Sequence, residues 1–504
     1  MTTIPNLPEK NNGRSVWRTV LVAVVLFLLY AFTVQTIDIS LEKPLNPERQ
    51  EAFGRVLRLL ADPEFVQVDA VTGEVALSEA MQTTLGRIVE TIFMALMATT
   101  VGTVLAVPVS FLAARNLMEP VTAPLAAIMV ALAALPVGGW LGSQLARLLL
   151  GAAAQVAGQP LLGVVAAVAV ATAVYLLLRS GLPDAESEAQ GDNRAAMLRL
   201  LLAVILLVLG LGLVAQVGVV AGKWLDTTLG SLGFLGNFVF VLSDFILIGL
   251  PALLGTLGAF LAASYGSYYG QEAVLRLNEG SARALTVVAT LVGTAVLVYG
   301  IGSALNWLYL FDNPERWTTI PAVVVAIGAA VVAGFLRAKR PFAIGFVIYT
   351  ISRSILNALR SIEPLIMGIV FVVWVSLGPF AGIMALTLHT IAALGKLFSE
   401  QIEGIDEGPI EALLSTGASR LQMIVYAVIP QIIPPYIAFT LYRWDINVRM
   451  STIIGFVGGG GIGFVLSQNI QQLRYRQASV MMIAIALVVM LLDYVSSRIR
   501  SRII

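Results

Sequence analysis

The sequence predicts an all-α polytopic membrane protein with about 12 transmembrane helices. Three observations carry that prediction. Of 504 residues, 58% are hydrophobic and only 12% charged, and the mean hydropathy is +0.88, too apolar for a water-soluble domain. Apolar runs of about 20 residues, the length that crosses a bilayer, recur along the chain. Lys and Arg gather at alternate ends of those runs, as the positive-inside bias requires.

On the length criterion the first span lies near 16–36, after Lys10, Arg14 and Arg18. A signal peptide would look similar, but the run leads into TVQTIDISLE with no small-x-small cleavage site, so an uncleaved anchor is expected. A second span falls near 88–112. Six follow near 121–140, 160–178, 196–221, 236–263, 284–309 and 318–336. The last four lie near 347–376, 379–399, 430–449 and 478–497. The run Leu141–Gln159, carrying Arg147, reads either as re-entrant or as a further span. Between the first two spans, residues 37–87 carry more acidic than basic side chains and are expected to form a small helical cap outside.

Lys10, Arg14 and Arg18 put the N-terminus inside, and Arg498, Arg500 and Arg502 put the C-terminus there too. Arg115, the 179–199 loop with Arg179, Arg194 and Arg199, the pair Arg276 and Arg283, and the Arg337–Lys339–Arg340 cluster fall on the same side. Arg474 and Arg476 fall outside and are the clearest departure. The glycines, 45 in all, suit close helix packing in lipid.

Composition also excludes function classes. With no cysteine there are no disulfides, thiolate metal sites or cysteine nucleophiles. One histidine, His389, argues against a His-based metal site or a Ser-His triad, so no metal is assigned. The formal net charge of +1 gives no sign of nucleic-acid binding. No Gly-Lys-Ser/Thr follows any glycine run, so no nucleotide site is assigned.

One polar stretch interrupts the apolar pattern: EALLSTGASRLQMIVYAVIP, Glu411–Pro430. Pro409 suits the first turn of a helix, and Ile410, Leu413 and Leu414 form one apolar face. Gly417 is a natural helix stop. Ser419 with Gln422 matches a capping box that starts a second helix, which Pro430 is expected to close. Lipid does not tolerate exposed irregular backbone, so the stretch must meet water or another protein. An ordinary interhelical loop and a docking element both satisfy that requirement.

Glu411-Ala412, Gly417 and Pro430 resemble the EAA loop of ABC-importer permeases, and further segments share the resemblance. These are Glu90–Asn116, Arg353–Pro364, Leu377–Gly382, Leu388–Glu403, Leu441–Arg449 and Gly455–Gly463. Together they resemble the permeases of phosphonate-type (PhnE-like) importers, over 88–118 and 343–504, somewhat under half the chain. The resemblance implies a type I importer permease core moving phosphonate, phosphite or phosphate anions. ATP and Mg would be bound by a separate ABC ATPase subunit, docked on the 406–430 loop through Glu411, Ala412, Gly417, Ala418 and Pro430. It also implies a periplasmic or lipid-anchored substrate-binding protein, a permease homodimer, and a cytoplasmic-membrane location.

The expected organisation is an anchor and outer segment (1–87), a first core helix (88–118), an inserted six-helix block (119–342) and a core permease unit (343–504). That block departs from the family, in which the segments now about 220 residues apart are adjacent. Arg360-Ser361-Ile362-Glu363-Pro364 places a carboxylate where the family has none, Asp445 replaces a usual Glu, and VGGGGIG replaces VGAGGIG. Within the block, Glu272–Val288 echoes the EAA loop faintly, with the wrong Glu-to-Gly spacing and no closing proline.

Ionisable groups within spans are functional suspects. Asp445 and Arg449, four apart with the acid first, suit a local ion pair. Arg449 with Arg443 also suits lowering the barrier to an anion. His389 shares a rough helical face with Lys396 and Glu400 and reads either as a pathway residue or as a histidine bonded to backbone. Gly455–Gly463 holds six glycines, Gly458, Gly459, Gly460 and Gly461 among them; close helix packing and a bent turn near the gate both fit. An ion-gradient-driven secondary transporter is the alternative function. A membrane-embedded enzyme lacks the residues for chemistry.

Overall fold

The structure, a computed structural model, describes residues 12–37, 42–68, 75–179, 193–230, 233–418 and 420–503. Lys10 and Ser419 lie outside the described residues, as do the side chains of Arg14, Arg194 and Arg199. The chain divides into two compact units, Met1–Asn116 with Tyr349–Ile504, and Leu117–Ile348.

The first unit opens with α1 (Asn12–Thr36), whose apolar side chains from Trp17 onward are exposed along almost its whole length. An apolar helix exposed all round suits lipid. Next come α2 (Glu42–Leu45) and α3 (Pro47–Leu60), the latter capped by Asn46, whose side chain accepts from the Glu48 N–H at 2.9 Å. A hairpin of β1 (Val66–Val68) and β2 (Val75–Leu77) follows, so the outer segment is not purely helical as expected. It holds Arg476 through the Asp62 carboxylate (3.2 Å) and carbonyl (3.2 Å). That pairing gives the charge departure a physical reason: an arginine with its own acidic partner on that side is no longer a free cation.

Helix α4 (Glu79–Leu112) starts at Ser78, whose hydroxyl accepts from the Met81 N–H at 3.1 Å. It is longer than the span read from sequence, and α5 (Arg115–Met118) follows it.

The second unit runs β3 (Ala123–Pro124), α6 (Leu125–Ala157), α7 (Pro160–Arg179), α8 (Asn193–Thr228), α9 (Gly233–Arg276), α10 (Glu279–Tyr309), α11 (Pro314–Trp317), α12 (Thr319–Phe335) and β4 (Pro341–Phe342). Leu141–Gln159 is neither re-entrant nor a separate span: α6 continues through it to Ala157, with Arg147 exposed and Ala146 buried. Helices α6 and α9 meet at glycines. A Cβ on Gly138 would strike the Gly258 carbonyl, and one on Gly142 the Leu254 carbonyl. Small residues four apart let backbones touch, where van der Waals packing must replace the missing hydrophobic drive. The faint EAA echo resolves into a tight break: α9 ends at Arg276, Asn278 caps α10 by accepting from the Ser281 N–H at 2.9 Å, and Glu272 pairs with Arg276.

The chain returns with α13 (Ile344–Ser361) and α14 (Pro364–Val375), which are bent by 89° relative to each other. The single span expected near 347–376 is therefore broken. Pro364 opens α14 and disfavours helical backbone at Glu363, which is extended (φ −62°, ψ 139°). Then come α15 (Pro379–Glu403), α16 (Glu407–Ser415), α17 (Arg420–Met423), a π-helical turn Ile424–Val428, α18 (Ile429–Gly455), α19 (Gly461–Gln471) and α20 (Tyr475–Ile503). The core of this unit gathers Ala98, Met367, Ala385, Leu386 and Ile454.

Among the described residues ten helices are long and apolar enough to cross a membrane. With the bent pair and the shorter apolar helix Leu161–Leu177, every stretch read as a span is helical.

Candidate functional site

The polar stretch is built as two helices around a glycine stop. Asp406 caps α16, its carboxylate accepting from the Gly408 N–H at 3.0 Å. No residue of α16 is buried, and Glu411 and Ala412 are exposed. At the far end the Gly417 N–H donates to the Leu414 carbonyl (3.0 Å) and the Ala418 N–H to the Leu413 carbonyl (3.3 Å). That is the Schellman arrangement, which needs a left-handed residue, and Gly417 has φ +78°.

Pro430 does not close the second helix. The helical run continues from Arg420 to Gly455, and the π turn Ile424–Val428 lies immediately before the proline. There the Ile429 N–H reaches back to the Ile424 carbonyl, five residues away. The wider turn makes room for a ring that clashes with a carbonyl in an α-helix.

Gln431 ties the loop shut: its Oε1 accepts from the Asp406 N–H at 2.8 Å and its Nε2 donates to the Asp406 carbonyl at 3.3 Å.

Beside the loop lies an ionic cluster. Arg353 donates to Glu403 at 2.8 Å and lies 3.4 Å from Glu400, which Lys396 approaches to 4.0 Å. The Glu403 carboxylate also accepts from the Arg115 N–H at 2.8 Å, and the Asn116 amide donates to the Ile402 carbonyl at 2.8 Å. Three segments far apart in sequence thus converge on the end of α15, one turn before the loop begins.

A buried polar seam runs where α4, α15 and α18 pack. The Asn447 amide, fully buried, donates to Thr99 (2.8 Å) and Thr390 (2.9 Å), and Arg443 Nε donates to Thr390 at 3.4 Å. Gly102 makes this possible: a Cβ there would sit 2.6 Å from a Thr390 methyl. Asp445 and Arg449 do form an ion pair, with the acid buried and the arginine half-exposed. Among the described residues, six buried side-chain atoms on these three helices have no hydrogen-bond partner: Thr103 Oγ1, His389 Nδ1, Arg443 Nη2, Trp444 Nε1, Asp445 Oδ1 and Asn447 Oδ1. His389 stands on the same helix, α15, two and three turns before Lys396 and Glu400.

The glycine run forms a bent, closely packed turn. Gly458, Gly460 and Gly461 have positive φ, and a Cβ on Gly460 would meet Pro379 at 2.7 Å. Gly459 packs against Gly382. The first N–H groups of α19 are already taken: Gly461 donates to Glu90 at 3.0 Å and Ile462 to Thr91 at 2.9 Å.

Sequence reasoning did not single out Gln431, Arg353, Glu403, Asn447, Thr99, Thr390 or Glu90 as site residues. All of these but Gln431 stand inside the segments that resemble importer permeases, which was the available signal.

Residues 326–503 match the model of the binding-protein-dependent transport system inner membrane component family. The chain belongs to that family, whose members are inner-membrane components, as the ten apolar helices among the described residues suit. It is 43% identical over 121 residues to a chain named for a cryptic phosphonate transport system permease in Escherichia coli K12, covering 24% of this chain and 99% of that one. A phosphite transport system permease of Stutzerimonas stutzeri is 40% identical over 182 residues, 36% of this chain and 64% of its own. A phosphate-import permease of Mycolicibacterium smegmatis is 37% identical over 199 residues, 39% of this chain and 37% of its own. The chain spans 54 to 64% of the length of the phosphite-transport relatives it matches.

Proposed function

We propose that this chain is the transmembrane permease subunit of an ABC importer for phosphonate, phosphite or phosphate-type anions, two copies forming the pathway. ATP and Mg are bound and hydrolysed by a separate ATPase subunit, and the chain has no nucleotide site of its own. A substrate-binding protein delivers the anion at the outer face, and both termini are cytoplasmic. The observation that carries this reading is α16: a short helix with no buried residue, capped at both ends and clamped at its base by Gln431. Such an element can transmit a push without melting. Glu411, Ala412, Gly417, Ala418 and Pro430 form or support the docking surface. The Arg353–Glu403 cluster carries the motion into α15 and α4.

In the pathway, Arg443 offers a guanidinium nitrogen without a partner among the described residues, as an anion needs, with Arg449, Asp445 and His389 in the same unit. Gly458, Gly459, Gly460 and Gly461 let the outer ends of the helices bend at the gate. ATP-driven closure of the ATPases biases the spans between two access states, as differential binding requires.

The chain contains no cysteine, so a single Ala412→Cys variant is a clean crosslinking probe. Reconstituted with its ATPase and treated with a short bifunctional thiol reagent, it is expected to yield an ATPase adduct that Gly417→Pro abolishes. An adduct absent with intact ATPase, or uptake that persists without any ATPase, would end this reading.

A further inference from the structure

The second unit holds a group of cations that the proposed pathway does not include. Helices α10 and α12 pack side by side in opposite directions. At one end of the pair Tyr309, Phe311 and Trp317 stack in series, with centroids 5.8 and 4.9 Å apart. Tyr and Trp collect where hydrocarbon meets headgroups. Helix α12 has 17 residues, about 26 Å at 1.5 Å each, close to the hydrocarbon thickness of about 30 Å. Its other end therefore lies at the opposite headgroup level.

At that end the chain turns through Arg337–Arg340, with the Arg340 N–H donating to the Arg337 carbonyl at 3.1 Å. The turn is pinned. Ala338 is buried against Ala126, Val274, Ala282 and Ala289, and the β4 strand that follows pairs with β3. Arg337, Lys339 and Arg340 line a cleft of about 590 Å³ with Glu279, Phe335 and Leu336. None of the three cations has an ion pair with a described residue. Directly beneath, Phe335 is 87% exposed, and Val332, Val331 and Ile327 continue an exposed apolar face down α12.

We propose that this cleft binds the phosphate-bearing headgroup of an anionic phospholipid, with its acyl chains lying along α12. Three cations against one carboxylate leave a positive cleft at the depth of lipid phosphates. Basic pockets of this kind between helices select acidic headgroups. The exposed apolar wall favours a lipid over a soluble anion, which has nothing to place there. Arg337 supplies a planar donor fork for a phosphate, and Lys339 and Arg340 close its sides.

The test uses the full chain with its ATPase in nanodiscs of mixed phosphatidylglycerol and phosphatidylcholine, read by native mass spectrometry. The wild type is expected to retain phosphatidylglycerol in preference. Joint substitution Arg337→Gln, Lys339→Gln and Arg340→Gln is expected to lower that retention at least about tenfold, while Arg147→Gln, on an exposed site of the same unit, leaves it unchanged. Should the triple variant fold poorly, Arg337→Gln alone is expected to lower retention several-fold. Equal retention by wild type and variants, or equal loss of phosphatidylcholine, overturns the proposal. Displacement of the retained lipid by millimolar inorganic phosphate would also overturn it, by showing a free-anion site.

Discussion

Gln431 pairs with both backbone polar groups of Asp406, donating to its carbonyl and accepting from its N–H across 25 residues of chain. The polar loop is thus a closed ring rather than a tether. Gln431→Leu removes these two hydrogen bonds and a third, from the amide to the Ala427 carbonyl at 2.9 Å, together about 1–3 kcal/mol. The expected results are faster amide exchange through α16 and an ATPase affinity lowered about tenfold. Unchanged exchange in α16 would refute the clamp.

Gly417 tests the loop's stop separately. It has φ +78°, and a Cβ added there would have nothing within 4 Å, so the cost of a side chain is conformational rather than steric. Gly417→Ala is expected to cost about 1–2 kcal/mol, and Gly417→Asn less, because Asn tolerates the left-handed region. Thermal unfolding of the purified complex should rank wild type above Asn above Ala. An Ala variant as stable as wild type would contradict the Schellman geometry.

The Arg353 cluster predicts coupling. With side chains 21% and 26% exposed, Arg353 and Glu403 form a partly buried pair. Arg353→Gln should cost about 1–3 kcal/mol, between the exposed and buried limits. A double-mutant cycle with Glu403→Gln should return an interaction energy well above the measurement error. Strict additivity would mean that the contact carries nothing.

Two glycines give opposite signs. Gly102→Ala drives a methyl into Thr390 and should destabilise by about 1–3 kcal/mol. Gly151→Ala, on a helix with nothing nearby, should be neutral or stabilising by up to about 1 kcal/mol. Unfolding midpoints in detergent check both, and destabilisation by Gly151→Ala would be the failure.

For the pathway, Arg443→Gln should sharply reduce anion uptake while the ATPase still co-purifies. Full uptake with that variant would remove Arg443 from the pathway and leave it as packing.

Much of this architecture is legible in residue order. Span positions follow from apolar length, and Gly417 announces itself as a stop because few other residues accept its φ. What escapes is pairing at a distance. Nothing local to Gln431 says that Asp406 is its partner, and Glu403 looks like any acidic helix end until Arg353 and Arg115 arrive. Breaks are legible only in part. Pro364 does break its span, yet Pro430 does not, because a preceding π turn absorbs the ring. Leu141–Gln159 is ambiguous in sequence because it carries Arg147, which simply faces outward from a continuous helix.

That π turn has a consequence for how this chain can vary. It stores one residue more than an α-helix needs over the same rise, so Ile424–Val428 is the place where the helix can lose a residue without rotating the remainder of α18. Elsewhere in α18 a deletion would turn every later side chain by about 100°, swinging Asn447 away from Thr99 and Thr390. The spare residue and Pro430 are interdependent: a shortened turn is tolerable only if the proline goes with it. Length changes between relatives should accordingly cluster there, and each should trade the proline and the extra residue together.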